Sequence, residues 1–367
     1  MAIPAPVWVV CAFTMTFSAL PAFAEDRAYE PLVESYLDGD HSGPVIELGR
    51  WEGQRLERSV EAAIAEIGER AGTPQLRDLR LMAGAMLHTE RAVSDIRVGL
   101  TESGAKHIGL AWSYVRLLER LAPREPEVSS FCRRWHRLAG MQTLRVLDIG
   151  RARQLLEEGL HQFPGDAGLL LALGSVEETL TGFGELSAQI RWDTTRGITQ
   201  PLESFRRRAE KQGQLEKAEK LYTRALAADP SLAEAHLRRG RTFQLLGRAS
   251  DAENDLAWVV RESREPSILY LARLFRGRLQ EDKGDLAAAA ESYRAAAETG
   301  LRSQAAHLGL AHVLSLLGDR AGSAQALDRA LARPTGTDPL DAWWRYALGQ
   351  PLEPDALIAD LRQEVHR

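Results

Sequence analysis

The chain is expected to be an all-α solenoid of stacked helix–turn–helix repeats. Three observations predict this. Ala218, Tyr222 and Ala225 form a triplet at helical spacing that recurs as Ala252, Leu256, Val259, then Ala289, Tyr293, Ala296, then Ser323, Leu327, Ala330. The steps are roughly 34 residues, with the middle one slightly longer. A second triplet runs out of phase with the first: Gly240, Phe243, Gly247, then Gly277, Gln280, Gly284, then Ala311, Leu314, Gly318. Small residues at fixed helical spacing let two helices approach closely, and the glycine ahead of the second helix makes the turn. No stretch alternates apolar and polar residues over a useful length, so no sheet is expected.

The elements follow in order from residue 25. Asp26–Leu37 reads as a short amphipathic helix, "DGDHSGP" as a turn, and Val45–Trp51 as the start of the next helix, with Leu48 and Trp51 at packing positions. The next helix, Gln54–Arg70, stops at Gly72 and Pro74. Leu76–Val93 carries Leu79, Met82, Ala83, Met86 and Leu87 at helical spacing. His88 is read as a helix residue at the edge of that core, and Ala105–Leu121 is the partner helix. Glu127–Leu147 and Ile149–Phe163 form a better repeat, in which Gly140 takes the small position, Ala152, Leu156 and Gly159 take the triplet, and Pro164 closes. Ala167–Leu180 begins another first helix, with Gly174 one full period after Gly140.

There the period breaks. The next triplet is due near residue 186 but starts at Ala218. The stretch 181–205 is rich in Thr and Gly. It reads either as a degenerate extra repeat or as one repeat whose two helices are parted by a long loop, and the composition favours the loop. Regular repeats then resume, with first helices near 233–246, 269–283 and 304–317 and second helices near 215–228, 249–262, 286–298 and 320–332. The segment 338–367 is expected to be a capping helix pair on the last repeat, Trp343 and Trp344 turned inward and Arg362, Gln363 and Glu364 toward water.

"AEAHLRRGRTFQLLGRASDAENDLAWVV" and "KAEKLYTRALAADP" carry a resemblance to tetratricopeptide repeats. The resemblance extends over about 133–337, with 25–132 as degenerate repeats. It implies a right-handed superhelix and a binding scaffold. It further implies that the first helix of each pair lines a concave groove. Carried onto this chain, the groove positions are Leu237, Leu274 and Leu308, then Arg241, Arg278 and His312, then Gln244, Glu281 and Ser315. A groove with an apolar floor and a row of donors suits an extended peptide. The family's carboxylate-binding version uses Lys and Asn at these positions; this chain has no Asn there.

Composition and termini bound the rest. The 367 residues are 44% hydrophobic and 26% charged, as in a folded soluble protein. Lys and Arg number 46 against 51 acidic residues, which gives no reason to expect nucleic acid as a partner. Residues 1–24 carry no charged side chain; Val7–Leu20 is mostly apolar and Ala22-Phe23-Ala24 has the form signal peptidase reads. A cleavable signal peptide over 1–24, export to a periplasm or the medium, and no membrane span after cleavage are expected. Cleavage would leave Cys132 as a single thiol, read as a small buried apolar residue.

No HExxH, GxSxG, phosphate-binding GxxxxGK or GxGxxG-after-strand pattern is present. His307 and His312 are poorly spaced to share a metal on a helix, Glu177 and Glu178 diverge, and "RRRAEKQ" at 206–212 reads as a solvated face. The expectation is therefore a non-enzymatic adaptor without cofactor or metal, binding a protein or peptide in the groove. Two alternatives stand beside it. One is an accessory subunit of an enzyme or envelope complex, working through 181–205 with Glu185, Arg191, Asp193 and Thr194. The other is a self-assembling structural protein. Stacking alone is expected to hold the repeats, so loss of a middle repeat would uncouple the ends.

Overall fold

The computed structural model describes residues 29–50, 53–70, 72–194, 200–299, 303–332, 341–347 and 354–366. The predicted signal peptide lies outside the described residues, as do the side chains of 182–194, 200–209 and Trp344. Among the described residues all regular structure is helical: α1 Glu30–Leu37, α2 Ser42–Leu48, α3 Gly53–Arg70, α4 Pro74–Arg97, α5 Thr101–Leu121, α6 Pro126–Arg145, α7 Ile149–Gln162, α8 Ala167–Thr194 and α9 Gln200–Ala228. The order continues with α10 Ala233–Leu245, α11 Ala249–Glu262, α12 Pro266–Asp282, α13 Leu286–Ala297, α14 Gln304–Leu316, α15 Arg320–Leu331, α16 Ala342–Ala347 and α17 Pro354–Val365. The chain is an all-α solenoid of helical repeats.

From α4 onward the helices pair as first and second members: α4/α5, α6/α7, α8/α9, α10/α11, α12/α13 and α14/α15. The small position of each first helix sets the pairing. A Cβ added at Gly84 would meet the Tyr114 ring at 2.5 Å, at Gly140 Leu156 at 2.5 Å, at Gly240 Leu256 at 3.0 Å, and at Gly277 Tyr293 at 2.7 Å. Gly247, Gly284 and Gly318 turn the chain at φ +76, +80 and +85. Behind Gly284 and Gly318, Asp285 and Asp319 cap the next helix. In the α6/α7 turn Asp148 is the cap, but Leu147 occupies the glycine's place at φ +65.

The 181–205 stretch corrects the loop expectation. Gly174 faces the Tyr222 ring, so α8 and α9 do form a single repeat, in line with the favoured reading. The described residues between are helix instead of loop: α8 runs on to Thr194 and α9 starts at Gln200, while 195–199 lie outside the described residues. Helical hydrogen bonding along two packed helices outweighs the cost of about 1 kcal/mol for each glycine that suggested a break.

Successive first helices touch one another all along the array, α4 to α6, α6 to α8, α8 to α10, α10 to α12 and α12 to α14, whereas successive second helices stand farther apart. The first-helix side is therefore the inside of the curve. Here the end of the chain departs from the expected cap. α16 packs on α12, and α17 packs on α4 and α6 at the far end of the array. Ile358, Leu361 and Val365 join the core built from α1 to α6, while Ala342 and Tyr346 join the core of the later repeats. Arg362 and Glu364, expected in water, face protein instead, because the helix that carries them is covered on that side by the first repeats. Gln363 does remain exposed. The ends are thus coupled directly as well as through stacking.

Candidate binding face

The inner face is built from polar and aromatic side chains of consecutive first helices. At its centre, Glu178 of α8 is buried and accepts hydrogen bonds from the Tyr222 hydroxyl at 2.7 Å and from the Tyr346 hydroxyl of α16. The fully buried Arg238 of α10 donates to Glu178 at 3.3 Å and to Glu234 at 2.9 Å, and its guanidinium lies 4.7 Å over the Tyr346 ring. Burial alone would lower the Arg238 guanidinium, but the surrounding Glu234, Tyr222 and Glu178 outweigh it and hold the pKa above its ordinary value. Burial, and next the Glu178 carboxylate, push the Tyr222 and Tyr346 phenols up. Both shifts favour the forms the cluster pairs, a charged guanidinium and two neutral phenols.

On α12, Phe275 meets Trp343 edge-on at 5.8 Å and Tyr346 at 4.9 Å. Tyr270 donates its hydroxyl to Asp341 at 2.8 Å, and the Ala305 N–H at the start of α14 donates to the same carboxylate oxygen at 2.8 Å. Farther along the inner face, Glu90 of α4 receives a two-pronged contact from Arg362 at 2.6 and 2.5 Å and a hydrogen bond from Tyr36 at 2.5 Å. Glu364 accepts from Ser130 at 2.6 Å and Arg134 at 3.0 Å, both on α6.

The residues expected in the groove divide. Arg241, Gln244, Arg278, Glu281 and His312 are brought together in one ladder across α10, α12 and α14. Arg241 donates to Gln244 at 2.7 Å and lies 5.1 Å over Phe275; Gln244 donates to Asp282 at 3.0 Å. Arg278 pairs with Glu281 and Asp282, each at 3.4 Å, and Glu281 also takes His312 at 3.3 Å and the Tyr293 hydroxyl at 2.8 Å. The side chains of Arg278 and His312 remain 55% and 58% exposed. Leu308 is exposed beside them, but Leu237 and Leu274 are buried in the core and form no open apolar floor. Their positions point between the helices, where apolar area is removed from water, so the face is polar and aromatic.

Glu178, Arg238, Glu90 and Arg362 do not stand out in the sequence as candidate site residues. One signal is available: Glu178 lies four residues after Gly174, as Gln244 does after Gly240 and Glu281 after Gly277. The register that names Gln244 and Glu281 names Glu178 in an earlier repeat. His88 lies four residues after Gly84 in the same way. It is fully buried, not at the core's edge, and bonded to Tyr29 at 2.8 Å and His107 at 2.9 Å. Cys132 is buried as expected, and burial pushes its thiol well up, away from the thiolate. No described helix is long and apolar enough to cross a membrane.

The tetratricopeptide repeat profile matches residues 207–261 and 274–339. No curated protein matches the chain. Among solved structures, the chain is similar to MamA MSR-1 at 16% identity, covering 54% of this chain and 94% of that one with a TM-score of 0.36. It is similar to YrrB, described as a TPR protein with an unusual peptide-binding site, at 15% identity over 54% of this chain and 84% of that one, TM-score 0.36. It is also similar to a thermophilic TPR protein of Thermus thermophilus, at 19% identity over 61% and 99%, TM-score 0.38. The profile lies on repeats that glycine turns and small-residue contacts close, so these two segments of the chain are tetratricopeptide repeats.

Proposed function

We propose that this protein is an exported, non-enzymatic adaptor that takes a protein or peptide partner along the inner face of α10, α12 and α14. The repeat architecture is a protein-interaction scaffold. The observation that supports the finer reading is the ladder from Arg241 to His312. It crosses three successive first helices, and its Arg278 and His312 ends stay open to water. Its donors are spaced by the repeat, so an extended chain can meet one at each step through backbone carbonyls or carboxylates. The near balance of 46 basic and 51 acidic residues supports a protein partner over nucleic acid. The apolar run before Glu25 supports a periplasmic or secreted protein.

The test is affinity capture from the protein's own cells with the parent and with an Arg278→Glu/His312→Glu variant. Both sites are exposed, so the variant is expected to fold. A partner recovered by the parent and lost by the variant supports the reading; identical capture refutes it. N-terminal sequencing of the captured protein is expected to begin at Glu25, and an intact Met1 would refute export by cleavage.

A further inference from the structure

Residues 341–347 lie on the inner face in the way a bound peptide would. The contacts that place them there run to first helices or their entries: Glu178 on α8, Arg238 on α10, Tyr270 and Phe275 on α12, and the Ala305 N–H on α14. The contacts divide into three built subsites. Tyr270 and the Ala305 N–H hold a carboxylate, that of Asp341, which is nearly inaccessible to solvent. Phe275 holds an indole and a phenol ring. Behind them the buried Glu178 accepts the phenol O–H while the Arg238 guanidinium lies over its ring. Asp341 also accepts from the Trp343 N–H at 2.9 Å, which starts the helical turn that carries both rings to the face. The open ladder adjoins this slot directly, because the Phe275 that holds the two rings also lies under Arg241.

We infer that this slot is a peptide-docking site occupied in cis by residues 341–347, and that a partner enters it by displacing that segment. The partner segment is a helical turn of the same chemistry: a carboxylate, an aromatic ring two residues on, and a phenol three residues beyond that. The inference rests on the adaptor reading above and adds to it the ligand class and the competitor. Its energetic logic is that of a partly populated competent state: apparent affinity falls by the fraction of molecules in which the slot is open. Arg362 and Glu364 on α17 make their contacts on α4 and α6, outside the slot, so the tail remains docked at a second point when 341–347 lifts away.

The probe is a fluorescein-labelled synthetic peptide of residues 338–350, titrated by fluorescence polarisation into the full chain. The parent is expected to bind weakly. A full-length Trp343→Ala/Tyr346→Ala variant, whose slot residues are untouched, is expected to bind about tenfold or more tightly than the parent. A peptide carrying D341N and Y346F is expected to lose that gain. Should the double variant fail to fold by circular dichroism, the full-length Tyr346→Phe variant reads the same gain at smaller size. A folded, opened variant with no gain over the parent overturns the inference, as does equal binding of the altered peptide. So does an opened variant that dimerises in light scattering without taking up peptide, which would assign the slot to a second copy. None of these failures touches capture through Arg278 and His312, so the two readings fail separately.

Discussion

Gly174→Ala tests the least regular part of the fold. Gly174 and Tyr222 stand three times as far apart in the sequence as the matching pairs Gly140 and Leu156, Gly240 and Leu256, and Gly277 and Tyr293. If α8 and α9 are one repeat drawn out into a long hairpin, a Cβ at residue 174 meets the Tyr222 ring, 2.8 Å from Cδ1 and 3.0 Å from Cζ. Carbon pairs settle at about 3.5–4.0 Å, so the ring must move. It has little freedom to do so, since it is fully buried and its hydroxyl is fixed on Glu178 at 2.7 Å. Overpacking of this kind costs about 1–3 kcal/mol, and the rigid ring argues for the upper part of that range. Replacing a helical glycine returns about 1 kcal/mol of propensity, leaving a net loss of about 1–2 kcal/mol. Gly213, in α9, is the control: an added Cβ meets nothing within 4 Å, so Gly213→Ala keeps only the propensity gain of up to about 1 kcal/mol. Urea titration followed by far-ultraviolet circular dichroism reads both variants, with hydrogen exchange of α8 and α9 to localise the effect. Equal stabilisation by the two substitutions would refute the pairing of residues 174 and 222.

Further outcomes follow from other contacts. Burial, with Arg91 and Lys106 adding to it against the opposing Asp95, brings His107 down to about 4 from 6.5, and burial next to His107 lowers His88 as well. The unfolded chain takes up these protons below pH 6.5 and the native one does not, so stability is full above that pH and falls as pH drops from 6.5 toward 4. His107 alone accounts for about 3 kcal/mol of the loss, measured as the urea midpoint against pH, and His107→Asn should flatten the profile. Leu147, at φ +65 and exposed where the other repeats place glycine, should be stabilised by about 1 kcal/mol on Leu147→Gly; a lower urea midpoint would refute the strain. Arg362→Ala removes both prongs on Glu90 and should weaken docking of α17 by about 1–3 kcal/mol, seen as faster hydrogen exchange over 354–366. Unchanged exchange there would place the tether elsewhere.

The regular repeats are legible because their period writes itself in the sequence. Small residues recurring at roughly 34 positions fix where helices touch. The helices α10 to α15 fall within a few residues of the expected boundaries. The 181–205 stretch misleads because glycine and threonine speak for local propensity, whereas the helix there is held by a partner far along the chain, at the Gly174–Tyr222 contact. The polar ladder is legible in its members, since Arg241, Gln244, Arg278, Glu281 and His312 follow the period. The apolar floor is not, because periodicity gives a residue's turn of the helix without telling whether Leu237 and Leu274 face the groove or the adjacent helix. The return of α16 and α17 along the inner face leaves no trace in any local pattern. "WWRY" and "ALIADLRQEV" are amphipathic segments that could cover any apolar surface, and only the tertiary structure says which one.

That return has a consequence for the order in which the molecule can be made. A chain of stacked repeats can finish each unit as it leaves the ribosome. Here Glu90 waits for Arg362, 272 residues later, and the first core waits for Leu361 and Val365. At about 5–20 residues per second, the opening repeats spend between about 14 and 54 s with that flank uncovered. The first repeats of the array are therefore the last to be completed.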